Sequence, residues 1–180
     1  MISHRHKFIF IHIPKTAGSS IRFYMRGRYD TLHVPHHSTA EQIKNKNMDI
    51  FDSYTKFCVV RNPWEREVSR YRFIKRNKAH AQYKHTLNGI KWFIQRTGKP
   101  YTYYTHVSDV CVMDHILRLE NIQSEFREIC NRLNISAKRL PHMQRSVHKH
   151  YTEYYDDDTR KIVAEKYARD IEYFGYNFKE

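Results

Sequence analysis

Two clusters of residues in this chain have the types and spacing to hold anions, and a third can move a proton. The first is Lys15-Thr-Ala-Gly-Ser-Ser20, which directly follows the apolar run Phe8-Ile-Phe-Ile-His-Ile-Pro14. Gly18 permits a tight turn and a close approach of a ligand to the backbone. Thr16, Ser19 and Ser20 offer hydroxyls, and a helix beginning here points unpaired N–H groups at the turn. With the Lys15 ammonium over it, such a nest clamps phosphate. The second cluster is Arg61, at the end of the apolar run 56–60, and Ser69 on the helix that follows. Arg brings a rigid donor fork and Ser a short donor, which suits a second phosphate. The third is His33-x-x-His36-His37. Imidazoles titrate near neutrality and are the usual side chains for a general base.

Each cluster also has an ordinary explanation. Residues 15–20 make an acceptable Gly-Ser turn with a surface lysine. Arg66, Ser69 and Arg70 are three and four residues apart and share one side of a helix that could be merely solvated and charge-laced, with Trp64 and Val68 anchoring another face. Glu65 and Glu67 are ion partners for the neighbouring arginines. The three histidines lack a Cys or carboxylate at ligand spacing, and a closed structural zinc site takes four ligands, so no metal is expected. His12 either packs in the core or orients the loop. His4 and His6 read as tail residues, and His142, His148 and His150 as solvated surface.

These clusters need elements to position them. Residues 7–13 form a strand, 19–28 a helix, 31–34 a short strand and 39–46 a brief helix started by Ser38 or Thr39 with Glu41 or Gln42 in its first turn. Residues 56–60 form a strand whose continuous apolar character suits burial on both faces of a parallel sheet. Pro63 opens a helix over 64–75, as proline at the first turn costs no hydrogen bond. A helix over 87–97 is closed by Gly98 and Pro100, and 99–108 is a loop. A strand at 116–119 precedes a helix over 121–133, in which Ile122, Phe126, Ile129, Cys130 and Leu133 share a face. Residues 136–151 are basic and irregular, and a long helix over 156–174 ends at Gly175. Alternating strands and helices without linker or repeat predict one α/β domain over 1–180, with a central, mainly parallel sheet flanked by helices. Sites in such folds lie at the carboxyl ends of the strands.

Composition agrees with a folded domain and narrows its partners. The chain has 180 residues, 40% of them hydrophobic, and a formal net charge of +13. That charge favours polyanions without choosing among nucleic acid, an anionic glycan, a phosphorylated nucleotide and an acidic membrane. The three cysteines form no CxxC pair, and Cys58 reads as a small buried hydrophobe. No stretch is apolar enough for a membrane span and no signal peptide precedes the first strand. A cytoplasmic protein is expected if the chain is full length, although an excised lumenal domain would look the same.

His12-Ile-Pro-Lys-Thr-Ala-Gly-Ser-Ser20 resembles the 5′-phosphosulfate-binding loop of carbohydrate sulfotransferases that use 3′-phosphoadenosine 5′-phosphosulfate (PAPS). Val59-Val-Arg-Asn-Pro-Trp-Glu-Arg-Glu-Val-Ser-Arg-Tyr71 resembles their 3′-phosphate-binding element. His37-Ser-Thr-Ala40, Ile116-Leu-Arg-Leu-Glu-Asn121, Leu140-Pro-His-Met-Gln-Arg-Ser146 and Tyr167-Ala-Arg-Asp-Ile-Glu-Tyr-Phe-Gly-Tyr176 are similar to segments of the small bacterial-type members of this type 2 sulfotransferase family. The resemblance covers nearly the whole chain and implies a P-loop, nucleotide-kinase-like fold. It implies that Lys15 and the backbone and hydroxyls of Thr16, Ala17, Gly18, Ser19 and Ser20 hold the 5′-phosphosulfate. Arg61 and Ser69 would hold the 3′-phosphate. Arg145, Ser146 and Lys149 would belong to a loop closing over the nucleotide, where Gln144 departs from the Asn common in relatives. The base would be His37, just before Ser-Thr-Ala, with His36 in reserve, and Lys15 would assist the leaving oxygen.

The acceptor implied is a carbohydrate hydroxyl, on a short or terminal saccharide that is neutral or anionic, with another hydroxyl-bearing acceptor, a small molecule or a tyrosyl group, left open. Tyr101 to Tyr104, and the stretch 76–83, are open to three readings: an acceptor groove, plain surface, or a homodimer contact. A nucleotide or sugar kinase would need Walker spacing and Mg-holding acids, which are missing. A basic nucleic-acid- or nucleotide-binding protein without transferase activity is the remaining alternative. Charge and 14 tyrosines suit it. The basic residues, however, are spread over helices and match no nucleic-acid motif, so no nucleic-acid partner is expected.

Overall fold

The computed structural model describes residues 1–26, 31–32, 34–141 and 149–179. In chain order the strands and helices are β1 (Ile2–Ser3), β2 (Phe8–Ile11), α1 (Gly18–Met25), β3 (Thr31–Leu32), α2 (Ala40–Lys46), α3 (Met48–Phe51), β4 (Thr55–Val60) and α4 (Pro63–Arg76). They continue with α5 (Gly89–Arg96), α6 (Tyr101–Thr105), β5 (His106–Val107), β6 (Val110–Cys111), β7 (His115–Arg118), α7 (Ile122–Arg132), α8 (Asp157–Lys166) and α9 (Ala168–Phe174). The chain divides into two compact units, Met1–Val60 with Tyr101–Arg145, and Arg61–Pro100 with Ser146–Glu180.

The first unit is built on a five-stranded sheet of order β3-β1-β2-β4-β7. β2, β4 and β7 run parallel, with Phe10 beside Phe57 and Cys58 beside Ile116. β1 is antiparallel to both its neighbours. The fold is α/β, with a mainly parallel central sheet flanked by helices, as expected. All four side chains of β2 are buried, because alternate residues face opposite sides and both sides are covered. Phe8, Phe10, Phe57, Val59 and Leu117 meet α1 through Ile21, Tyr24 and Met25, and α7 through Ile122, Phe126 and Ile129. Cys58 lies in this buried sheet, and burial pushes its thiol far above the ordinary range. Cys130 is pushed up to about 12, so neither thiol is a nucleophile at neutral pH.

The amino-terminal residues expected as a tail form a hairpin instead. Lys7 adopts φ 48° at the reversal between β1 and β2. His4 Nδ1 lies 2.9 Å from the Tyr54 hydroxyl, and His6 Nδ1 donates to the Leu133 carbonyl at 3.1 Å. Residues 99–108, expected as a loop, include helix α6 and strand β5, which pairs with β6 just beyond them. Tyr101 and Tyr104 are buried in this unit, leaving Tyr103 exposed. The cap of α2 resolves to Thr39 with Gln42: Gln42 N–H donates to Thr39 Oγ1 at 3.1 Å and Thr39 N–H to Gln42 Oε1 at 3.0 Å.

The second unit packs α4 against α5 and α8. Its core holds Trp64, Val68, Tyr71, Ile74, Phe93, Ile94, Tyr151, Val163 and Tyr167. The final helix, expected as continuous, bends at Tyr167, whose φ of −114° and ψ of 23° separate α8 from α9. The Tyr167 hydroxyl is fixed in the core, donating to Glu67 Oε1 at 2.8 Å. Lys166 places its ammonium on the carbonyls of Ile94 and Thr97 at the end of α5, where a cation satisfies the last orphan acceptors. Among the described residues no helix is long and apolar enough to cross a membrane.

Candidate functional site

In the first unit the chain leaves β2 at Ile11 and enters α1 at Gly18. The reversal between them is made by Lys15 at φ 66° and Ala17 at φ 60°, both in the left-handed region without being glycine. Gly18 is therefore not the residue that makes the tight turn. It is needed for space: a Cβ there would lie 1.8 Å from Cδ2 and 2.0 Å from Nε2 of His12. The group that approaches the Gly18 backbone closely is thus the imidazole of His12.

Thr16 is fully buried and its hydroxyl donates to the Ile13 carbonyl at 2.9 Å. That hydroxyl braces the interior of the loop. Ser20 and Ile21 N–H groups both donate to the Ala17 carbonyl, at 2.9 and 3.2 Å. Ala17 is the N-cap residue of α1 and supplies no side-chain cap, and the first turn contains no acidic residue. The protein thus leaves the positive end of α1 uncompensated from its own cap position, with Lys15 two residues before it. An anion is what such a helix end holds. Ser19 is exposed and Ser20 buried.

Three imidazoles gather beside this loop. His37, itself at φ 62°, has its Nδ1 2.9 Å from the backbone carbonyl of His12. A carbonyl only accepts, so Nδ1 carries the hydrogen and the lone pair of the neutral ring sits on Nε2. Although His37 is exposed as a residue, partial desolvation of its ring pushes the pKa below its ordinary value; the hydrogen bond to His12 works against that and the Arg22 charge works with it. The ring is therefore neutral at pH 7. Arg22, on α1, donates from Nη1 to His36 Nδ1 at 2.7 Å. His12 is pushed down to about 3, by burial first and then by His37, Arg22 and His36. His12 Nδ1 is buried and has no hydrogen-bond partner among the described residues. The His12 and His37 ring centroids are 4.5 Å apart. His33, the other member of the expected cluster, lies outside the described residues.

In the second unit Asn62 and Pro63 start α4. The Asn62 side-chain oxygen accepts from Trp64 N–H at 3.1 Å, and Pro63 sits at the first position. Arg61, one residue beyond β4, donates from Nη2 to Glu65 Oε1 at 2.7 Å. Glu65 thereby holds one corner of the guanidinium fork. Ser69 is buried on the same helix.

Arg66 and Arg70, which share Ser69's helix side in sequence, are occupied with structure. Arg66 is 1% exposed and donates to the Lys99 carbonyl at 2.5 Å. Arg70 pairs with the fully buried Glu67 at 2.6 and 2.8 Å. Burial and the Glu67 charge push the Tyr167 phenol up, so its hydroxyl stays protonated and donates to that carboxylate. This interior network is the opposite of a solvated face.

Lys149 is exposed, with its ammonium 3.4 Å from Glu153 Oε2. Arg145 and Ser146, like Gln144, lie outside the described residues. The structure thus brings His12, His36, His37 and Arg22 together beside the residue 15–20 turn in one unit, and Arg61, Glu65 and Ser69 onto one helix in the other. Arg22 was not foreseen. Its signal was its place on the helix directly after the loop, four residues beyond Gly18.

A family model described as "Sulfotransferase family" matches residues 1–177. No curated protein matches the chain.

Proposed function

We propose a reaction for a chain that belongs to the sulfotransferase family: transfer of a sulfuryl group from PAPS to a carbohydrate hydroxyl, with both units acting as one domain. The observation that carries this reading is His37. Its Nδ1–H is tied to the His12 carbonyl and its pKa is held down, which leaves a neutral ring with an Nε2 lone pair. A base of this kind takes the acceptor proton as attack proceeds.

The chain's own residues fit the donor. The uncapped, acid-free start of α1 and the Lys15 ammonium suit a phosphosulfate, held by the backbone of Ala17, Gly18 and Ser19 and the hydroxyls of Ser19 and Ser20. Thr16 contributes by bracing the loop. Arg61, oriented by Glu65, and Ser69 suit the 3′-phosphate. When bound, PAPS supplies a sulfuryl group already activated for transfer. Lys15 neutralises the charge that develops on the departing bridging oxygen. His37 Nε2 receives the proton, while the His12 carbonyl stabilises the resulting imidazolium through Nδ1–H. His36, whose Nδ1 is taken by Arg22, stands second to His37 for this role. Arg145, Ser146 and Lys149 remain proposed nucleotide contacts on the grounds of sequence likeness.

Titration with 3′,5′-adenosine bisphosphate and with ADP at moderate salt tests the donor site, and labelled PAPS with a glycan panel tests the chemistry. A clear preference for the bisphosphate and label transfer to a glycan are expected. Equal, weak, salt-sensitive binding of both nucleotides would indicate a generic basic surface and sink the proposal.

A further inference from the structure

We infer that His12, His36 and His37 form an open three-imidazole site for a borderline divalent metal ion, of the class of Zn²⁺, Co²⁺ or Ni²⁺. Occupation of this site would switch the base off; that second part rests on the reaction proposed above, whereas the site itself does not.

One ring nitrogen from each of the three histidines lies within 4.8 Å of the other two. Imidazole nitrogens around a tetrahedral ion at about 2.0–2.1 Å are about 3.3–3.4 Å apart. Closing the difference takes a movement of roughly 1.5 Å at most by that same geometry. His36 and His37 are exposed and can supply it by side-chain rotation. His12, the mostly buried member, is the fixed post. The group is made of imidazoles alone, which suits Zn, Co, Ni and Cu and disfavours Mg²⁺ and Ca²⁺, ions that require oxygen ligands. All three rings must be neutral to ligate. Three ligands leave a fourth position for water or an anion, the pattern of an exchangeable site rather than a closed structural one.

Arg22 opposes the ion. Its guanidinium donates to His36 Nδ1 and puts a positive charge beside the cluster. Uptake through Nδ1 must displace that hydrogen bond, and uptake through either nitrogen must overcome the repulsion, so the site is weaker than its ligand count alone would give. This opposition distinguishes the site from adventitious binding to the chain's other histidines. Deleting the Arg22 charge should strengthen metal binding here and leave binding elsewhere unaltered. Ligation through His37 engages the electron pair that would receive the acceptor's proton. Metal and proton then compete for one atom, and the ion acts as a reversible inhibitor.

The test is titration of the metal-free protein with Co²⁺ at pH 7 in a non-coordinating buffer. It follows the visible bands of a low-coordinate cobalt site, with displacement by Zn²⁺. One such site per chain is expected. His36→Ala, at an exposed position, should weaken it by about tenfold or more, since even changing a partner that only orients a ligand costs that much, and Arg22→Gln should tighten it several-fold. Absence of the low-coordinate spectrum, or a spectrum and affinity unchanged in both variants, overturns the inference. Zn²⁺ inhibition of label transfer, reversed by a chelator, tests the second part. A protein that shows the cobalt site but never transfers label retains the metal site and loses the proposed reaction. One that transfers label and takes up no cobalt does the reverse.

Discussion

His37 donates its Nδ1 hydrogen to the backbone carbonyl of His12 at 2.9 Å, and that bond decides which nitrogen of His37 is left to act. A base is useful when its lone pair is aimed and its ring is neutral. The His12 carbonyl does the aiming. Partial desolvation of the ring, aided by the Arg22 charge, keeps the proton off.

If His37 is the base, His37→Ala should reduce sulfuryl transfer by about 10²–10⁴-fold. Affinity for 3′,5′-adenosine bisphosphate should be unchanged, since the ring takes no part in holding the nucleotide. Rate with labelled PAPS and calorimetric titration with the bisphosphate measure the two quantities separately. Full activity in the variant would remove His37 from the mechanism.

Arg61→Ala should abolish the preference for the 3′-phosphate. A hydrogen bond to a charged group contributes about 1.5–3 kcal/mol, so bisphosphate affinity should fall by roughly 10–100-fold while ADP binding hardly changes. An equal loss for both nucleotides would mean that Arg61 supplies general charge only.

Positions 17 and 18 should respond differently. Ala17→Gly relieves a left-handed alanine and loosens the unfolded chain, two effects of about 1 kcal/mol each that nearly cancel. Gly18→Ala drives a Cβ to 1.8 Å from the His12 ring. The ring must leave its place, taking with it the wall of the loop. Thermal denaturation should show Ala17→Gly near the parent and Gly18→Ala clearly destabilised, with bisphosphate binding lost alongside.

Glu67→Gln should cost about 3–5 kcal/mol, the usual result of breaking a buried ion pair and leaving one charge uncompensated. Arg70 loses its counterion and Tyr167 a strong acceptor. Gly98→Ala should damage the same network from outside, because at φ 88° its Cβ would meet Tyr167 Oη at 2.4 Å and Arg70 Nη1 at 2.5 Å. Denaturant unfolding of each variant gives the comparison. Parent-like stability in both would show the network to be dispensable.

Acid should weaken the fold through His12. Its folded pKa is about 3 against an ordinary 6.5. Above 6.5 the ring is neutral whether the chain is folded or not, and its contribution is fully retained. Between 6.5 and about 3 the unfolded chain binds a proton that the folded one refuses. Stability therefore falls with falling pH, by up to about 1.4 kcal/mol per unit from this group. His12→Asn should flatten that slope in unfolding free energies measured from pH 7 to pH 4 in metal-free buffer.

What the sequence discloses is set by where the determining forces lie. β2 and β4 were legible because both faces are covered and their apolar character is continuous, and α4 because Asn62-Pro63 announces its start. β1 and β5 were not: these two-residue strands owe their existence to pairing rather than to their own composition, whereas the equally short β3 falls within the strand expected over 31–34. The β5–β6 reversal uses Ser108 at φ 47° and Asp109 at φ 61°, a conformation that normally advertises itself through Asn-Gly. Nor did the helix 156–174 betray its bend, since this coincides with a tertiary bond from Tyr167 to Glu67, distant in sequence. At the site, the residue types of the loop and the histidines were visible beforehand. The reason for Gly18 was not, because it depends on where the His12 ring packs.

His12 ends the list of residues that a graft of this loop onto another scaffold would have to include. Its ring is the wall against which Gly18 sits, and its carbonyl is the stop against which His37 is set. One residue thus gauges the anion-holding turn and the proton acceptor against each other, as a single locating pin aligns two machined parts. Transplanting residues 14–20 alone would carry the turn without its alignment. The smallest transferable piece runs from His12 through the loop and includes the segment bearing His36 and His37.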